Sequence, residues 1–141
     1  MEITAHLEPE AGEHAERRLR SDLIAWLTTV RASGQPVTVP VWFLLREGGT
    51  ILIYSRPDKN KLSNIAENPR VSLVLDGSDV GSDVVRLEGS ARVAPDEPAP
   101  ADNPAYRAKY DDRIAQTFGT PEQFGELYSV PLVVTVRRVH A

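Results

Sequence analysis

The chain has no cysteine. Disulfides, thiolate nucleophiles and Cys-ligated zinc are therefore excluded. No stretch approaches the ~20 apolar residues that a membrane-spanning helix needs, so no membrane partner is expected. The start, Met1-Glu2-Ile3-Thr4-Ala5-His6, lacks a basic flank followed by an apolar run. It does not read as a signal peptide, and a cytoplasmic location is the expectation. Excess positive charge is missing too. The formal net charge is −4, and no Lys/Arg block is large enough for a nucleic-acid face. Histidine is scarce: His6, His14 and His140 are not spaced for a metal site. The serines have no evident His relay for nucleophilic hydrolysis. An enzyme with so little acid–base machinery would borrow its chemistry from a cofactor.

What is present is enough for one folded unit. The chain has 141 residues, 41% of them hydrophobic, which fits a single domain over 15–141 behind a polar, flexible tail over 1–14. Leu19, Leu23, Trp26, Leu27 and Val30 recur at three- and four-residue steps and predict a helix over 15–30, with Trp26 in its apolar stripe. Residues 37–46 alternate. Val37, Val39, Val41, Phe43 and Leu45 share one face; Thr38, Pro40, Trp42, Leu44 and Arg46 share the other. That predicts one strand, covered on its second face by a partner or ligand. Pro40 has no N–H, which places an edge or a bulge there. Glu47-Gly48-Gly49 predicts a hairpin turn into a strand over 50–55, with Ile51 and Ile53 inward. Residues 58–67 predict a short helix capped by Asp58. Further strands are expected over 70–76, 84–94 and 130–139, with Gly89 marking a bend. The loop over 77–83 reads as solvated rather than calcium-binding, despite Asp76, Asp79 and Asp83. Four prolines make 95–104 a semi-rigid loop. Tyr106, Tyr110, Ile114 and Phe118 predict a helix over 105–118, and Thr120-Pro121-Glu122-Gln123 starts another. Strands joined by short turns imply antiparallel pairing, and closure would remove the sheet's edges. The expected fold is mainly β with peripheral helices, a closed antiparallel barrel.

One segment carries plausible binding chemistry. Ser55-Arg56-Pro57-Asp58-Lys59-Asn60-Lys61 runs from a strand into a helix, where free backbone N–H groups favour an anion. Arg56, Lys59 and Lys61 add positive charge and Ser55 a hydroxyl. Together they could hold a phosphate, or they could simply face water on a short helix. Thr38, Pro40 and Trp42 could flank a planar ring; packing at an interface or against a helix would equally explain Trp42. Tyr106, Tyr110, Phe124 and Tyr128 could line a second wall or belong to a core.

Several motifs carry a resemblance: Gly34-Gln35-Pro36-Val37-Thr38-Val39-Pro40-Val41-Trp42-Phe43, then Ile53-Tyr54-Ser55-Arg56-Pro57-Asp58-Lys59-Asn60-Lys61-Leu62-Ser63-Asn64-Ile65, then Asn68-Pro69-Arg70-Val71. Val84-Val85-Arg86-Leu87-Glu88-Gly89-Ser90-Ala91 and Pro131-Leu132-Val133-Val134-Thr135-Val136 extend it. The chain resembles the FMN-binding split-barrel group, the pyridoxamine 5′-phosphate oxidase-like proteins. It is most similar to the small actinobacterial members that use the deazaflavin coenzyme F420. The resemblance implies a homodimer with cofactor sites at the interface. It implies that Lys61 contacts the cofactor phosphate with Lys59 as its basic neighbour, and that Ser55 and Arg56 lie on the same side. Thr38, Pro40, Val41 and Trp42 would lie beside the ring, with Asn60 and Asn64 as weaker correspondences. The implied activity is hydride transfer between F420 and a small organic substrate. An FMN-dependent reductase or oxidase, or a flavin- or haem-binding protein without turnover, are the alternatives. The chain lacks the further basic segments expected for a second phosphorylated ligand, which argues against vitamin B6 oxidation.

Overall fold

Apolar alternation and β-branched side chains draw seven segments into strands: β1 Ala25–Val30, β2 Pro36–Val41, β3 Leu44–Arg46, β4 Thr50–Ser55, β5 Arg70–Leu75, β6 Arg86–Val93 and β7 Val130–His140. The described residues also form the α-helices α1 Pro9–Ser21, α2 Asn60–Glu67, α3 Pro104–Thr117 and α4 Pro121–Leu127, with short 3-10 turns at Glu2–Thr4 and Pro100–Asp102. This is a computed structural model, and it describes residues 1–77 and 79–141. Ser78, within the loop expected over 77–83, lies outside the described residues. No described helix is long and apolar enough to cross a membrane.

The strands form one antiparallel sheet in the order β2-β1-β5-β6-β7-β4-β3. β2 and β3 end it on opposite sides and do not pair. The result is an open, strongly curled half-barrel, which corrects the expected closed split β-barrel. Helices occupy about as much chain as strands, so the expectation of a mainly β protein is corrected too. The cause lies between β2 and β3. The single strand expected over 37–46 breaks at Trp42 and Phe43. The Phe43 N–H, which a ladder would use, donates to the Tyr110 hydroxyl at 2.8 Å. The Phe43 carbonyl accepts from Lys109 Nζ at 2.7 Å. Two side chains of α3 thus take the backbone groups that strand continuity would need.

Curling gives the sheet two apolar faces. The inner face carries Leu27, Phe43, Ile51, Ile53 and Leu73, closed off by Ala15 and Leu19 of α1 and Ile65 of α2. The outer face of the β3-β4-β7 side carries Leu44, Leu52, Tyr54 and Val133 under Tyr106, Tyr110 and Ile114 of α3 and Phe124 of α4. Asn103 caps α3, accepting from Tyr106 N–H at 3.1 Å. The reciprocal capping box expected at Thr120 and Gln123 starts α4. Gly89 sits at a register shift between β6 and β7. A Cβ there would stand 2.6 Å from the Thr135 carbonyl oxygen, so only glycine allows the approach.

Two local expectations shift. The helix predicted over 15–30 ends at Ser21, and Ala25–Val30 is a strand. Leu23, Trp26 and Leu27 fit either period, but Thr28, Thr29 and Val30 are stiff at χ1 and favour the pleat. Trp26 therefore stands on the outer side, 40% exposed, donating to Asp76 Oδ1 at 2.6 Å. Helix α2 starts after Lys59 with no side-chain cap, so Asp58 does not cap it.

The break at Phe43 yields two predictions. Tyr110→Phe leaves the Phe43 N–H buried without a partner and should lower unfolding stability by about 1–3 kcal/mol in urea titrations, with the fold retained. The second concerns Lys109, whose ammonium stands 3.8 Å from the Phe43 ring centroid. Burial pushes its pKa down to about 8. The unfolded chain then holds the proton that the folded chain has released, so this group's contribution to stability rises with pH between about 8 and 10.5. The Tm of Lys109→Met relative to wild type should accordingly fall as pH rises through that window. A constant difference would contradict the assignment.

Candidate functional site

At the open edge of the half-barrel two hollows adjoin. Strand β2 forms one bank; α2 and the C-terminal end of α4 form the other. The first hollow, about 250 Å³, is lined by Pro40, Val41 and Trp42 on one side and by Tyr54, Phe118, Phe124 and Tyr128 on the other, with Ile24, Thr117 and Lys61 completing it. The second, about 360 Å³, is lined by Val37, Val39 and Pro40, by Arg56, Lys59, Asn60 and Lys61, and by Thr29, Asn64 and Tyr128. Pro40, Lys61 and Tyr128 belong to both.

The two ends differ in character. The first hollow is aromatic. Trp42 lies flat on Tyr110 (centroids 4.8 Å apart, planes 3° apart) and nearly parallel to Phe124 at 5.4 Å. Trp42 thus packs against the helical side, as one sequence reading expected, and it also lines the hollow. Tyr128 stacks on Phe124 at 4.6 Å. The second hollow is basic. Arg56, Lys59 and Lys61 line it with no carboxylate among the lining residues. The Arg56 guanidinium lies over the Tyr128 ring, 5.1 Å from its centroid. Burial and then the neighbouring Lys59 charge push the Lys61 pKa down. A half-buried ammonium beside a like charge, with no acid in the cavity wall, is a site short of an anion. At its floor, Asn64 Nδ2 donates to Thr29 Oγ1 at 3.0 Å, both residues being buried.

Seven of the nine expected site residues line the groove: Pro40, Val41, Trp42, Arg56, Lys59, Asn60 and Lys61. Two do not. Thr38 turns to the outer face, where its hydroxyl meets that of Thr28 at 2.8 Å. Ser55 is buried, and its hydroxyl donates to the Arg56 carbonyl at 2.9 Å. Thr29 was hidden from sequence reasoning by the helix expected over 15–30. Its signal is a polar residue where the inward register Ala25, Leu27, Thr29 calls for an apolar one. Lys109 is tucked against Phe43 rather than facing the groove.

Neither hollow is lined by a histidine or a carboxylate, so the groove can hold an anion and a planar ring but offers no ordinary acid–base pair. The curled sheet, its helical cover and the groove at its open edge define a split-barrel protein of the class whose members bind flavin-type cofactors. The sequence profile of the family described as pyridoxamine 5′-phosphate oxidase matches residues 11–140, and the chain belongs to that family. No curated protein matches it. Among solved structures it is similar to one described as an F420 reductase, with 24% identity, a TM-score of 0.68, and coverage of 89% of this chain and 94% of that one. General Stress Protein 26 from Bacillus anthracis str. Sterne is similar at 19% identity and a TM-score of 0.66, covering 91% of this chain and 90% of that one. HutZ, the heme storage protein from Vibrio cholerae, is similar at 18% identity and a TM-score of 0.61, covering 96% and 94%. At these identities the likeness is one of fold.

The depressed Lys61 sets a pH signature. Inorganic phosphate should bind wild type less tightly as pH rises toward the ordinary lysine range, because burial and the neighbouring Lys59 make Lys61 lose its proton earlier than an ordinary lysine. Lys61→Arg, which stays charged, should flatten that decline in calorimetric titrations. Parallel curves for the two proteins would remove Lys61 from the anion site.

Proposed function

We propose that the groove binds a phosphorylated flavin-type cofactor and that the protein is an oxidoreductase acting through it. The phosphate end lies in the second hollow among Arg56, Lys59 and Lys61. The ring end lies in the first, against Pro40, Val41 and Trp42. One observation carries this reading: three cations line a single cavity that contains no carboxylate and opens directly into an aromatic one. The bound ring would supply hydride transfer to or from a small organic substrate. The chain's own part is to hold the phosphate by charge, to position the ring, and to keep water from one of its faces with Trp42, Phe118 and Phe124.

FMN is favoured over F420. A phosphomonoester is close to a dianion at neutral pH, which suits a cluster of three cations. F420 carries its phosphate as a diester and so brings less charge to that point. A haem carrier is less well served, because the haem-ligating side chains lining the hollows are limited to Tyr128 and Tyr54, and the Tyr54 hydroxyl already donates to the Pro98 carbonyl at 2.7 Å. A second copy of the chain is proposed to complete the groove. Trp26, Thr28, Thr38 and Pro40 share the outer faces of β1 and β2, where Trp26 is 40% exposed.

Titrating FMN, F420 and haemin into apo-protein tests the proposal. FMN should bind most tightly, and Lys61→Ala should weaken it about 10- to 100-fold while the far-UV circular dichroism stays unchanged. Tighter binding of F420 would reverse the choice of cofactor. Affinity for none of the three would overturn the reading. Acceleration of reduced-FMN reoxidation by candidate acceptors separates turnover from storage, and sedimentation at micromolar concentration should show a dimer.

A further inference from the structure

The four-proline loop that follows β6 has no part in the groove, yet it walls a hollow of its own. This third hollow, about 390 Å³, lies between that loop, the C-terminal end of α4 and the start of β7. Among the described residues it shares Tyr54 alone with the groove. Its walls are held by bonds that need no ligand. The Tyr54 hydroxyl donates to the Pro98 carbonyl at 2.7 Å and accepts from Asn103 Nδ2 at 3.2 Å. The Ala94 N–H donates to the Pro131 carbonyl at 2.8 Å, and the Glu97 N–H to the Ala94 carbonyl at 3.1 Å. Helix α4 packs closely on the loop, since a Cβ on Gly125 would stand 3.3 Å from Pro100 Cδ. Fixed proline φ angles add stiffness. The hollow is therefore formed in advance, which lowers the cost of filling it.

Most of its surface is apolar: Val93, which is 41% exposed, with Pro95, Val130 and Pro131. One charge stands in this wall. Among the described residues Glu97 is the only charged side chain lining the hollow. Its Oε2 accepts from Arg46 Nη1 at 2.7 Å. Arg46 itself is outside the wall, where its Nε donates to Thr50 Oγ1 at 3.2 Å. A carboxylate has about four lone-pair sites, and Arg46 engages one oxygen of Glu97. The other oxygen is left to whatever enters.

We propose that this hollow is a second ligand site, taking a small apolar molecule that carries a protonated amine. The apolar body lies on Val93, Val130 and Pro131, and the ammonium donates to Glu97 Oε1 in a charge-assisted bond. An anion of the same size meets the carboxylate with no cation in the wall to offset it. A neutral apolar molecule fits the surface but leaves Oε1 without a donor. The third hollow is thus opposite in sign to the cavity of Arg56, Lys59 and Lys61. One small chain would sort two ligands by charge, and this assignment stands independently of the cofactor reading.

Amide-resolved NMR titration of the full chain with benzylamine, benzyl alcohol and benzoate at neutral pH tests it. Benzylamine should shift the amides of Val93, Glu97 and Val130 and bind about tenfold more tightly than benzyl alcohol, as one charge-assisted hydrogen bond implies. Benzoate should leave those amides unmoved. Glu97→Gln, which keeps the shape, should reduce benzylamine to the affinity of benzyl alcohol. That change also unpairs Arg46, so a second variant is needed. Ala99→Trp, at an exposed lining position, should block both ligands while the far-UV circular dichroism stays unchanged. Equal affinity of wild type for amine and alcohol overturns the proposal, as does a preference that survives Glu97→Gln. Shifts at Trp42 and Tyr128 in place of Val93 and Val130, or binding that Ala99→Trp leaves intact, overturn the location. Binding of none of the three overturns the site.

Discussion

The peptide of Phe43 is the joint on which the rest depends. Its N–H and carbonyl are held by Tyr110 and Lys109 rather than by a neighbouring strand. Tyr110 has one proton to give, and the Leu23 carbonyl at 2.8 Å and the Phe43 carbonyl at 3.1 Å compete for it. A single hydroxyl therefore ties α3 to the approach of β1 and to the β2–β3 junction. The consequences are geometric. The two end strands of the sheet are consecutive in sequence, yet they are not neighbours in the ladder. The sheet stays open, and Trp42, next to the pinned peptide, lies flat against Tyr110. An aromatic hollow exists because closure was prevented.

Beside that hollow the chain concentrates uncompensated positive charge. The protein is net acidic, and several of its arginines are ion-paired, among them Arg46 with Glu97 at 2.7 Å and Arg18 with Asp22 at 2.5 Å. Lys61 departs from this habit. Burial lowers its proton affinity and Lys59 lowers it further, with Asp58 the weakest influence. Structural salt bridges also perturb ionisation, but they do so by bringing opposite charges together. Here like charges meet at a cavity wall, and the missing partner is one that solvent or a ligand must supply. The fold tolerates this because the groove lies at an edge, where water screens the charges.

Much of this was legible from the residues. The alternation in 50–55, 70–76 and 130–139 marked strands, Gly89 marked a bend, and Thr120 with Gln123 marked a helix start. The segment 55–61 announced its charge without any structure. Other features were not legible for definite reasons. Residues 23–30 satisfy both helical and strand periods, and only the β-branched run at their end favours the strand. The break at Phe43 has no local signature, because Tyr110 and Lys109 lie more than sixty residues away in sequence. The same long-range bonds decide between an open and a closed sheet, so the closure expected from edge avoidance could not have been corrected locally. Thr38 and Ser55 look like ligand donors in sequence, but the pleat turns Thr38 outward and Ser55 spends its hydroxyl on the adjacent carbonyl.

The residues that sequence reading passed over share one property: their polarity is informative only once their direction is known. Thr29 is ordinary in a strand and would be ordinary on a helix. It becomes a signal when the register places it inward beside Leu27. Asn64 is likewise a common helix residue until α2 is seen to press it against β1. Charge declares itself in a sequence because it is costly to bury wherever it points. A neutral hydroxyl or amide declares itself only through the face it occupies. A groove built from both kinds of group is therefore half visible in advance: its charged end can be read from the chain, and its neutral floor only from the packing that turns Thr29 and Asn64 toward each other.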